Sequence, residues 1–259
     1  MPDSLAKQDS RSLLSRLDAI GQSLAGTDHA LALIGLGSVG LERARLDAWS
    51  DLDFFAMVEA GYKMRYLEDL SWLSRVCSIA YRFANTVDGY KLLFQDGIFC
   101  EFAVFEPAEL QAIPFAPGRV VWKQPQIDSS IGIPKVKIEL AAPHEQAWLL
   151  GEALTNLYVG LCRFRRGEML SAQRFIQQYA VDRLVELAAS IEPEAPVLQD
   201  PYAQERRFEQ RFPNLGRELP GFIQGYARSV ESARAILAYL EAHFEVNQAM
   251  AGAIRRLCE

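Results

Sequence analysis

The sequence predicts an α+β protein with a mixed β-sheet and flanking helices in its N-terminal part, followed by a C-terminal helical bundle domain. Short β-rich segments occupy the first part, whereas leucine stripes at helical spacing occupy the second. Six of the twelve prolines fall between Pro107 and Pro143, where neither regular pattern can continue for long. We therefore predict two domains, 1–140 and 141–259.

A helix, a strand and a glycine turn are predicted at the start of the first domain. The helix is indicated by apolar residues at helical spacing, namely Leu13, Leu14, Leu17, Ile20 and Leu24. The segment "ALALIGLG" (residues 30–37) is typical of a short buried strand that ends in a glycine turn. Residues 51–58, "DLDFFAMV", are apolar on both faces apart from two acids, which predicts a strand covered on both sides.

An antiparallel hairpin is predicted after a helix over residues 62–75. The segments "CSIAYRFANTV" (77–87) and "YKLLFQDGIFCEFAVF" (90–105) are rich in residues that favour strands. Within the second segment, Asp96-Gly97 is typical of a two-residue hairpin loop. Together with the buried strands, this hairpin makes the predicted sheet mixed.

The second domain carries three apolar stripes at helical spacing. They are Leu150, Leu154, Leu157 and Leu161; Ile176, Ala180, Leu184 and Leu187; and Tyr226, Val230, Ala233, Leu237, Leu240 and Phe244. Such stripes are typical of the seams between packed helices. A helical bundle is therefore predicted, with an interruption at "IEPEAPVLQDP" (residues 191–201).

Composition excludes several classes of function. The formal net charge of −6 has the wrong sign for a protein that coats a long nucleic acid, and it suits a cationic small molecule better. No apolar run has the length of a membrane span or the pattern of a signal peptide, so we expect a cytoplasmic protein with no membrane partner. The four cysteines and three histidines share no metal-ligand spacing, so any metal would be held by oxygen.

Three acids in apolar strand segments are the candidate catalytic and metal-binding residues. Asp51 and Asp53 project from one face of their strand because side chains alternate, and Glu101 shares its face with apolar neighbours. Two like charges about 4 Å apart repel by roughly 4 kcal/mol at an effective dielectric constant near 20. A cluster of these acids would therefore need a cation, and Mg²⁺ prefers such oxygen ligands. The alternatives are that Ser50-Asp51 forms a helix cap or a turn and that Glu101 is a core acid paired with an arginine.

The Gly37-Ser38 turn is the candidate phosphate-binding segment. Glycine lets the backbone approach a ligand closely, and amide groups with the Ser38 hydroxyl can bind phosphate oxygens. The turn follows a predicted strand and precedes a helical segment, which is the required context. Taken alone, Gly37-Ser38 is equally compatible with an ordinary turn.

These residues resemble the nucleotidyltransferase superfamily, which includes DNA polymerase beta, and most closely its aminoglycoside and lincosamide nucleotidyltransferases. The family signature is Gly-Ser, a spacer, an Asp-x-Asp pair at the start of a strand, and a third acid on a later strand. Here Gly37-Ser38, Asp51 with Asp53, and Glu101 match it, over roughly residues 30–105. Glutamate as the third acid is similar to the streptomycin and spectinomycin adenylyltransferases, which favours the branch acting on small molecules.

The resemblance implies transfer of a nucleoside monophosphate, AMP from ATP, to a hydroxyl of a small cationic acceptor, with release of pyrophosphate. An aminoglycoside or lincosamide acceptor would connect the protein with antibiotic resistance. Asp51, Asp53 and Glu101 would hold two Mg²⁺ ions. Glu101 would also accept the proton of the acceptor hydroxyl, unless a glutamate of the helical domain does so, for which Glu145, Glu152 and Glu168 are the candidates.

The resemblance also implies a phosphate-binding cation from the helical domain. In "CRFRRGEMLSA" (residues 162–172) the candidate is Arg166, and the alternative is that this arginine cluster is a solvated helix end. A different class of function stays open as well. The chain could be a non-catalytic or protein-modifying relative, of the regulatory or toxin-antitoxin type, that acts through a protein partner. The sequence leaves the oligomeric state open.

Overall fold

The computed structural model describes residues 10–136, 144–200 and 203–259. The chain divides into two compact units, Met1–Glu139 and Leu140–Glu259. The boundary predicted near residue 140 falls on residues 137–143, which lie outside the described residues. The assignment of a catalytic role to 1–140 and of a substrate-binding role to 141–259 stays a prediction.

A six-stranded mixed sheet with flanking helices forms the described part of the first unit. Its helices are α1 (Ser10–Ala25), α2 (Lys63–Glu68), α3 (Ser71–Ser74) and α4 (Pro107–Ala112). Its strands are β1 (Ala30–Gly35), β2 (Leu52–Val58), β3 (Ile79–Ala84), β4 (Gly89–Phe94), β5 (Phe99–Phe105) and β6 (Arg119–Lys123). The strand order is β3-β4-β5-β2-β1-β6, in which β2 and β5 are parallel and the other pairs are antiparallel. The predicted fold class is confirmed.

One predicted helix of this unit needs correction, and one of its strands was not predicted. The single helix expected over residues 62–75 is two short helices, because Asp69 leaves the helical conformation and accepts hydrogen bonds from the backbone and hydroxyl of Ser71. Strand β6 was not predicted, since it lies in the proline-rich stretch. As an edge strand it needs only the ladder with β1, so the prolines around it are tolerated.

One face of the sheet carries an aromatic core. Phe54 on β2 and Phe102 on β5 stack with ring centroids 5.4 Å apart, and Trp72 meets both rings edge to face. The predicted apolar stripe of α1 is buried in the same cluster. Because side chains alternate along a strand, the residues between these aromatics project from the opposite face. The acids of β2 and β5 are therefore on the face that lacks this aromatic core.

The β4–β5 hairpin has a three-residue loop in place of the predicted two-residue loop. The Phe94 N–H donates to Ile98 O at 2.9 Å, which leaves Gln95, Asp96 and Gly97 outside the ladder. Gly97 has φ +87°, the left-handed conformation that such a loop requires. The consequence is a register in which Lys91 lies opposite Glu101.

The described part of the second unit is helical, as predicted. Its main helices are α5 (Gln146–Arg165), α6 (Met169–Arg174), α7 (Ala180–Leu187), α8 (Phe208–Arg211), α9 (Pro213–Phe222), α10 (Ser229–His243) and α11 (Gln248–Cys258). A π-helical turn, Phe175–Tyr179, joins α6 to α7, and the leucines of the predicted stripes are buried or packed against one core. Within the described ranges, no helix is both long and apolar enough to cross a bilayer.

Gly89 provides a test of the β4–β5 packing. A Cβ at this position would overlap the carbonyl oxygen of Phe102 on the neighbouring strand. We expect Gly89→Ala to lower the free energy of unfolding by about 1–3 kcal/mol, as overpacking does. The measurement is urea denaturation followed by circular dichroism.

Gly151→Ala is the matched control for this test. Gly151 lies within α5, where an added Cβ has no neighbour within 4 Å. In a helix interior, alanine is favoured over glycine by about 0.5–1 kcal/mol, so the control should be neutral or stabilising. A Gly89→Ala variant as stable as the wild type would contradict the strand packing described above.

Candidate active site

Parallel pairing of β2 with β5 brings two of the predicted acids together. Asp53 lies directly opposite Glu101 in the register of these strands, so both side chains project from the same face. Asp51 lies just before β2 and is exposed. The capping alternative does not apply to Asp51, since the segment after it is a strand and not a helix.

Asp53 lies in an unfavourable environment for a charged carboxylate. The pKa of Asp53 is raised to about 7, chiefly by burial and further by the negative charges of Asp51 and Glu101. The three acids are thus within electrostatic range of one another. A positive charge in contact with Asp53 would stabilise its ionised form and lower its pKa again. A bound cation would supply that charge.

Glu101 is held by two polar neighbours that sequence reasoning did not identify. The Lys91 Nζ lies 3.3 Å from Glu101 Oε2, and the Asn85 Nδ2 donates to Glu101 Oε1 at 2.8 Å. Lys91 is on β4, and Asn85 directly follows β3. The sequence considered an arginine partner, whereas the structure supplies a lysine. The length of the loop at Gly97 sets this pairing. Had the sequence analysis assigned three residues to the loop, it would have placed Lys91 opposite Glu101.

The Gly37-Ser38 turn lies beside the acids. The Leu36 N–H donates to Asp53 O at 2.8 Å, which joins the start of the turn to β2. Gly37 has φ +50° and begins a short 3₁₀ turn, Gly37–Val39. At Gly40 a Cβ would lie 2.5 Å from Gly35 O. Both glycines are therefore required by the backbone of this turn.

Arginines that the sequence analysis did not assign surround the turn. Arg45 Nη2 lies 3.3 Å from the position that a Cβ on Gly37 would take, and its Nε lies 2.5 Å from Glu42 Oε2. The Arg43 Nε donates to Gly40 O at 3.2 Å, and the Arg119 Nε donates to Val39 O at 3.4 Å. Burial and the neighbouring Arg119 lower the pKa of Arg43. Arg45 is paired with Glu42, and Arg119 Nη2 lies 3.5 Å from Asp18 Oδ1, so an anionic ligand would compete with these carboxylates for the guanidinium groups.

Arg166 and the alternative glutamates belong to the second unit. Arg166 directly follows α5, is well exposed, and its Nη1 lies 3.4 Å from Glu168 Oε1. Glu145 immediately precedes α5, and Glu152 lies within it. The structure thus brings together Gly37, Ser38, Asp51, Asp53 and Glu101 in the first unit. The roles of Arg166 and the second-unit glutamates stay predictions.

The donor set suits magnesium, although its side chains are not gathered into a ready metal site. Within the described ranges, no group of three His, Cys, Asp or Glu side chains has the arrangement needed to hold a metal ion. Glu101 is engaged by Lys91 and Asn85, and Asp53 is partly buried next to like charges. Carboxylate oxygens are the ligands that Mg²⁺ takes, so the residues fit this ion chemically.

The sequence matches no protein-family model and no curated protein. Among solved structures, the chain is similar to an aminoglycoside 6-adenyltransferase from Bacillus subtilis, with 14% identity, a TM-score of 0.33, and coverage of 96% of this chain and 91% of that chain. It is also similar to a STING-associated CdnE c-di-GMP synthase from Capnocytophaga granulosa, with 10% identity, a TM-score of 0.33, and coverage of 98% and 81%. Similarities at this level do not define a site or an activity.

The raised pKa of Asp53 predicts a pH-dependent stability. In the folded state Asp53 binds a proton up to about pH 7, against a reference pKa of 3.8. The folded form therefore holds more protons across this window, and the free energy of unfolding should fall as the pH rises through it, on the order of 2–4 kcal/mol. Asp53→Asn should remove this decline and should be more stable than the wild type at pH 8.

The measurement is urea denaturation between pH 4 and pH 8 in the presence of a chelator, which keeps divalent cations from compensating the charge. Glu68→Gln is the control, because Glu68 is an exposed acid on α2. We expect this variant to keep the wild-type slope. An unchanged slope in Asp53→Asn would show that the Asp53 carboxylate is already compensated in the folded protein.

Proposed function

We propose that the protein is a magnesium-dependent nucleotidyltransferase that moves AMP from ATP to a hydroxyl of a small cationic acceptor. The observation that carries the proposal is the position of Asp53, which is partly buried opposite Glu101 and lies next to an arginine-lined glycine turn. Carboxylates beside a cationic turn combine the two requirements of triphosphate chemistry: ligands for a divalent cation and positive charge for phosphate oxygens. The proposal also agrees with the family that the Gly-Ser and Asp-x-Asp motif resembles.

Asp51 and Asp53 are the proposed principal ligands of Mg²⁺, with Glu101 as a third. Bound magnesium neutralises triphosphate charge and activates an attacking oxygen. The carboxylates of Asp51, Asp53 and Glu101 would hold this ion at β2 and β5, the two strands that carry or adjoin them. Positioning and charge neutralisation account for most of the catalysis in phosphoryl transfer.

The reaction requires one proton to be removed from the acceptor. The acceptor hydroxyl oxygen forms a bond to the α-phosphorus of ATP, and the bond from that phosphorus to the bridging oxygen breaks as pyrophosphate leaves. Glu101 is proposed to take the hydroxyl proton, because its register opposite Asp53 places its carboxylate on the same face of the sheet as Asp53. In this role Glu101 replaces the second-unit glutamates considered from the sequence.

The turn Gly37-Ser38 is proposed to bind the phosphates of the nucleotide. The left-handed conformation of Gly37 leaves its α-carbon without a side chain next to the Arg45 guanidinium. Guanidinium groups make strong, directional hydrogen bonds to phosphate oxygens. Arg45 is therefore a candidate phosphate ligand within the first unit, in addition to Arg166, the candidate from the sequence.

The acceptor is proposed to be an aminoglycoside or lincosamide. The formal net charge of −6 favours a cationic acceptor over an anionic one by long-range attraction. Transfer to such an acceptor would inactivate an antibiotic, and resistance of cells that produce the protein would be the cellular consequence. An acceptor panel with labelled ATP distinguishes this proposal from modification of a protein side chain.

Substitution of Asp53 tests the proposal directly. We expect Asp53→Asn to lower magnesium-dependent pyrophosphate release by at least about a hundredfold, the scale seen when one preorganised electrostatic group is removed from an active site. Glu68→Gln, the exposed α2 control, should retain full activity.

In a thermal-shift assay, ATP with Mg²⁺ at about a hundredfold excess over Kd should stabilise the wild type by about 2.7 kcal/mol. Full activity in Asp53→Asn would end the proposal.

A pair of arginine variants separates the two candidates for phosphate binding. If Arg45 contacts the triphosphate, Arg45→Met should raise the KM for ATP by about tenfold, the loss of one charge-assisted hydrogen bond, with a smaller effect on the acceptor KM. Arg166→Met should do the same only if the second-unit assignment is right. Arg82→Met is the control, because Arg82 is an exposed residue of β3 on the face opposite Glu101. Steady-state kinetics with ATP as the varied substrate is the measurement.

A further inference from the structure

Lys91, Glu101 and Asp53 form a row of charged side chains across three neighbouring strands. Lys91 on β4 lies directly opposite Glu101 on β5, and Glu101 lies directly opposite Asp53 on β2. Partners in such a register have Cβ atoms roughly 5 Å apart on the same face. Glu101 therefore has an ammonium group on one side and a second carboxyl group on the other.

Both oxygens of Glu101 are occupied by groups of the chain itself. Lys91 Nζ lies 3.3 Å from Oε2, and Asn85 Nδ2 donates to Oε1 at 2.8 Å. The other side-chain atom of Asn85, Oδ1, is buried and has no hydrogen-bond partner among the residues that the structure describes. Asn85 thus gives its donor to Glu101 while its own acceptor is left unsatisfied.

The Lys91–Glu101 pair is poorly placed to stabilise the fold. The two side chains are 43% and 41% exposed, and ion pairs with this much access to water contribute little to folding stability. The location of the pair is more informative than its stability. It places the Lys91 ammonium group next to Glu101, which lies opposite Asp53.

We propose that Lys91 is a tethered counter-ion that occupies Glu101 in the nucleotide-free protein and competes with a divalent cation for this carboxylate. The inference rests on the nucleotidyl transfer proposed above, since that function requires Glu101 to become available. Asn85 acts as a positioning residue that fixes the second oxygen. Lys91 itself is a positioning residue and takes no part in the transfer of the phosphoryl group.

This arrangement has a direct consequence for metal affinity. A divalent cation contacts Glu101 only after it displaces the Lys91 ammonium group, so the nucleotide-free protein binds divalent cations weakly. A triphosphate adds negative charge beside the row and favours the exchange. Removal of the Lys91 charge should therefore strengthen metal binding before any nucleotide is added.

The test is a titration of the nucleotide-free full chain with Mn²⁺, with the free ion followed by its electron paramagnetic resonance signal. Lys91→Met should bind Mn²⁺ about tenfold more tightly than the wild type, because a like charge close to the site is removed. Lys91→Arg keeps the charge and should behave as the wild type does. Lys123→Met is the matched control, since Lys123 is on β6, at the opposite edge of the sheet.

Further variants test whether the gain in Mn²⁺ affinity depends on Asp53. Adding Asp53→Asn to Lys91→Met should abolish the gain in Mn²⁺ affinity. Lys91→Gln is a second neutral substitution at the same half-exposed strand position, and it should reproduce the gain seen with Lys91→Met. Circular dichroism establishes that each variant is folded. Equal Mn²⁺ affinity in the wild type, Lys91→Met and Lys91→Gln, or an equal gain in Lys123→Met, would overturn the proposal.

The Mn²⁺ titration tests the counter-ion role of Lys91, and the transfer assay tests the proposed function, so each proposal can be refuted without the other. If wild-type protein transfers AMP but the Lys91 variants bind Mn²⁺ no better, the counter-ion role is wrong and the proposed function stands. If the Lys91 variants gain Mn²⁺ affinity through Asp53 but no nucleotide is bound or turned over, the counter-ion role stands and nucleotidyl transfer is wrong. In an active enzyme, Lys91→Met should also lower the Mg²⁺ concentration needed for half-maximal rate.

Discussion

Parallel pairing of β2 with β5 is the constraint on which the candidate site depends. It places Asp53 opposite Glu101 on one face of the sheet, and burial raises the pKa of Asp53 to about 7. A carboxyl group in this position is unfavourable for the fold alone, because its charged form has lost water and has like charges as neighbours. Such a cost is typical of functional sites, where a ligand completes the charge balance.

The same two strands carry an aromatic core on one face and the candidate acids on the other. Phe54 and Phe102 follow Asp53 and Glu101 by one residue each and form the centre of the aromatic cluster with Trp72. Side-chain alternation therefore couples the two faces, since the packing that holds the aromatics in register also sets the separation of the acids.

Charge is ordered along the sheet in the direction from β4 to the turn after β1. Lys91 comes first, the carboxyl groups of Glu101 and Asp53 follow, and the arginines around Gly37 come last. Both ends of the row are positive and its centre is negative. In the proposed function, a divalent cation would bind at the centre and phosphate oxygens at the arginine end, and Lys91 would balance the charge of Glu101 in the nucleotide-free protein.

The sequence by itself determined the mixed sheet, the helical second part, and the identity of the acids and the glycine turn. Those features depend on local rules: side-chain alternation, helical spacing, and the conformational freedom of glycine at Gly37. The tertiary structure alone decided what surrounds them. A loop of three residues instead of two shifts the β4–β5 register by one position and places Lys91, not Leu92, opposite Glu101. Arg45 and Arg119 reach the turn through contacts that sequence spacing does not encode, because they depend on how separate segments pack.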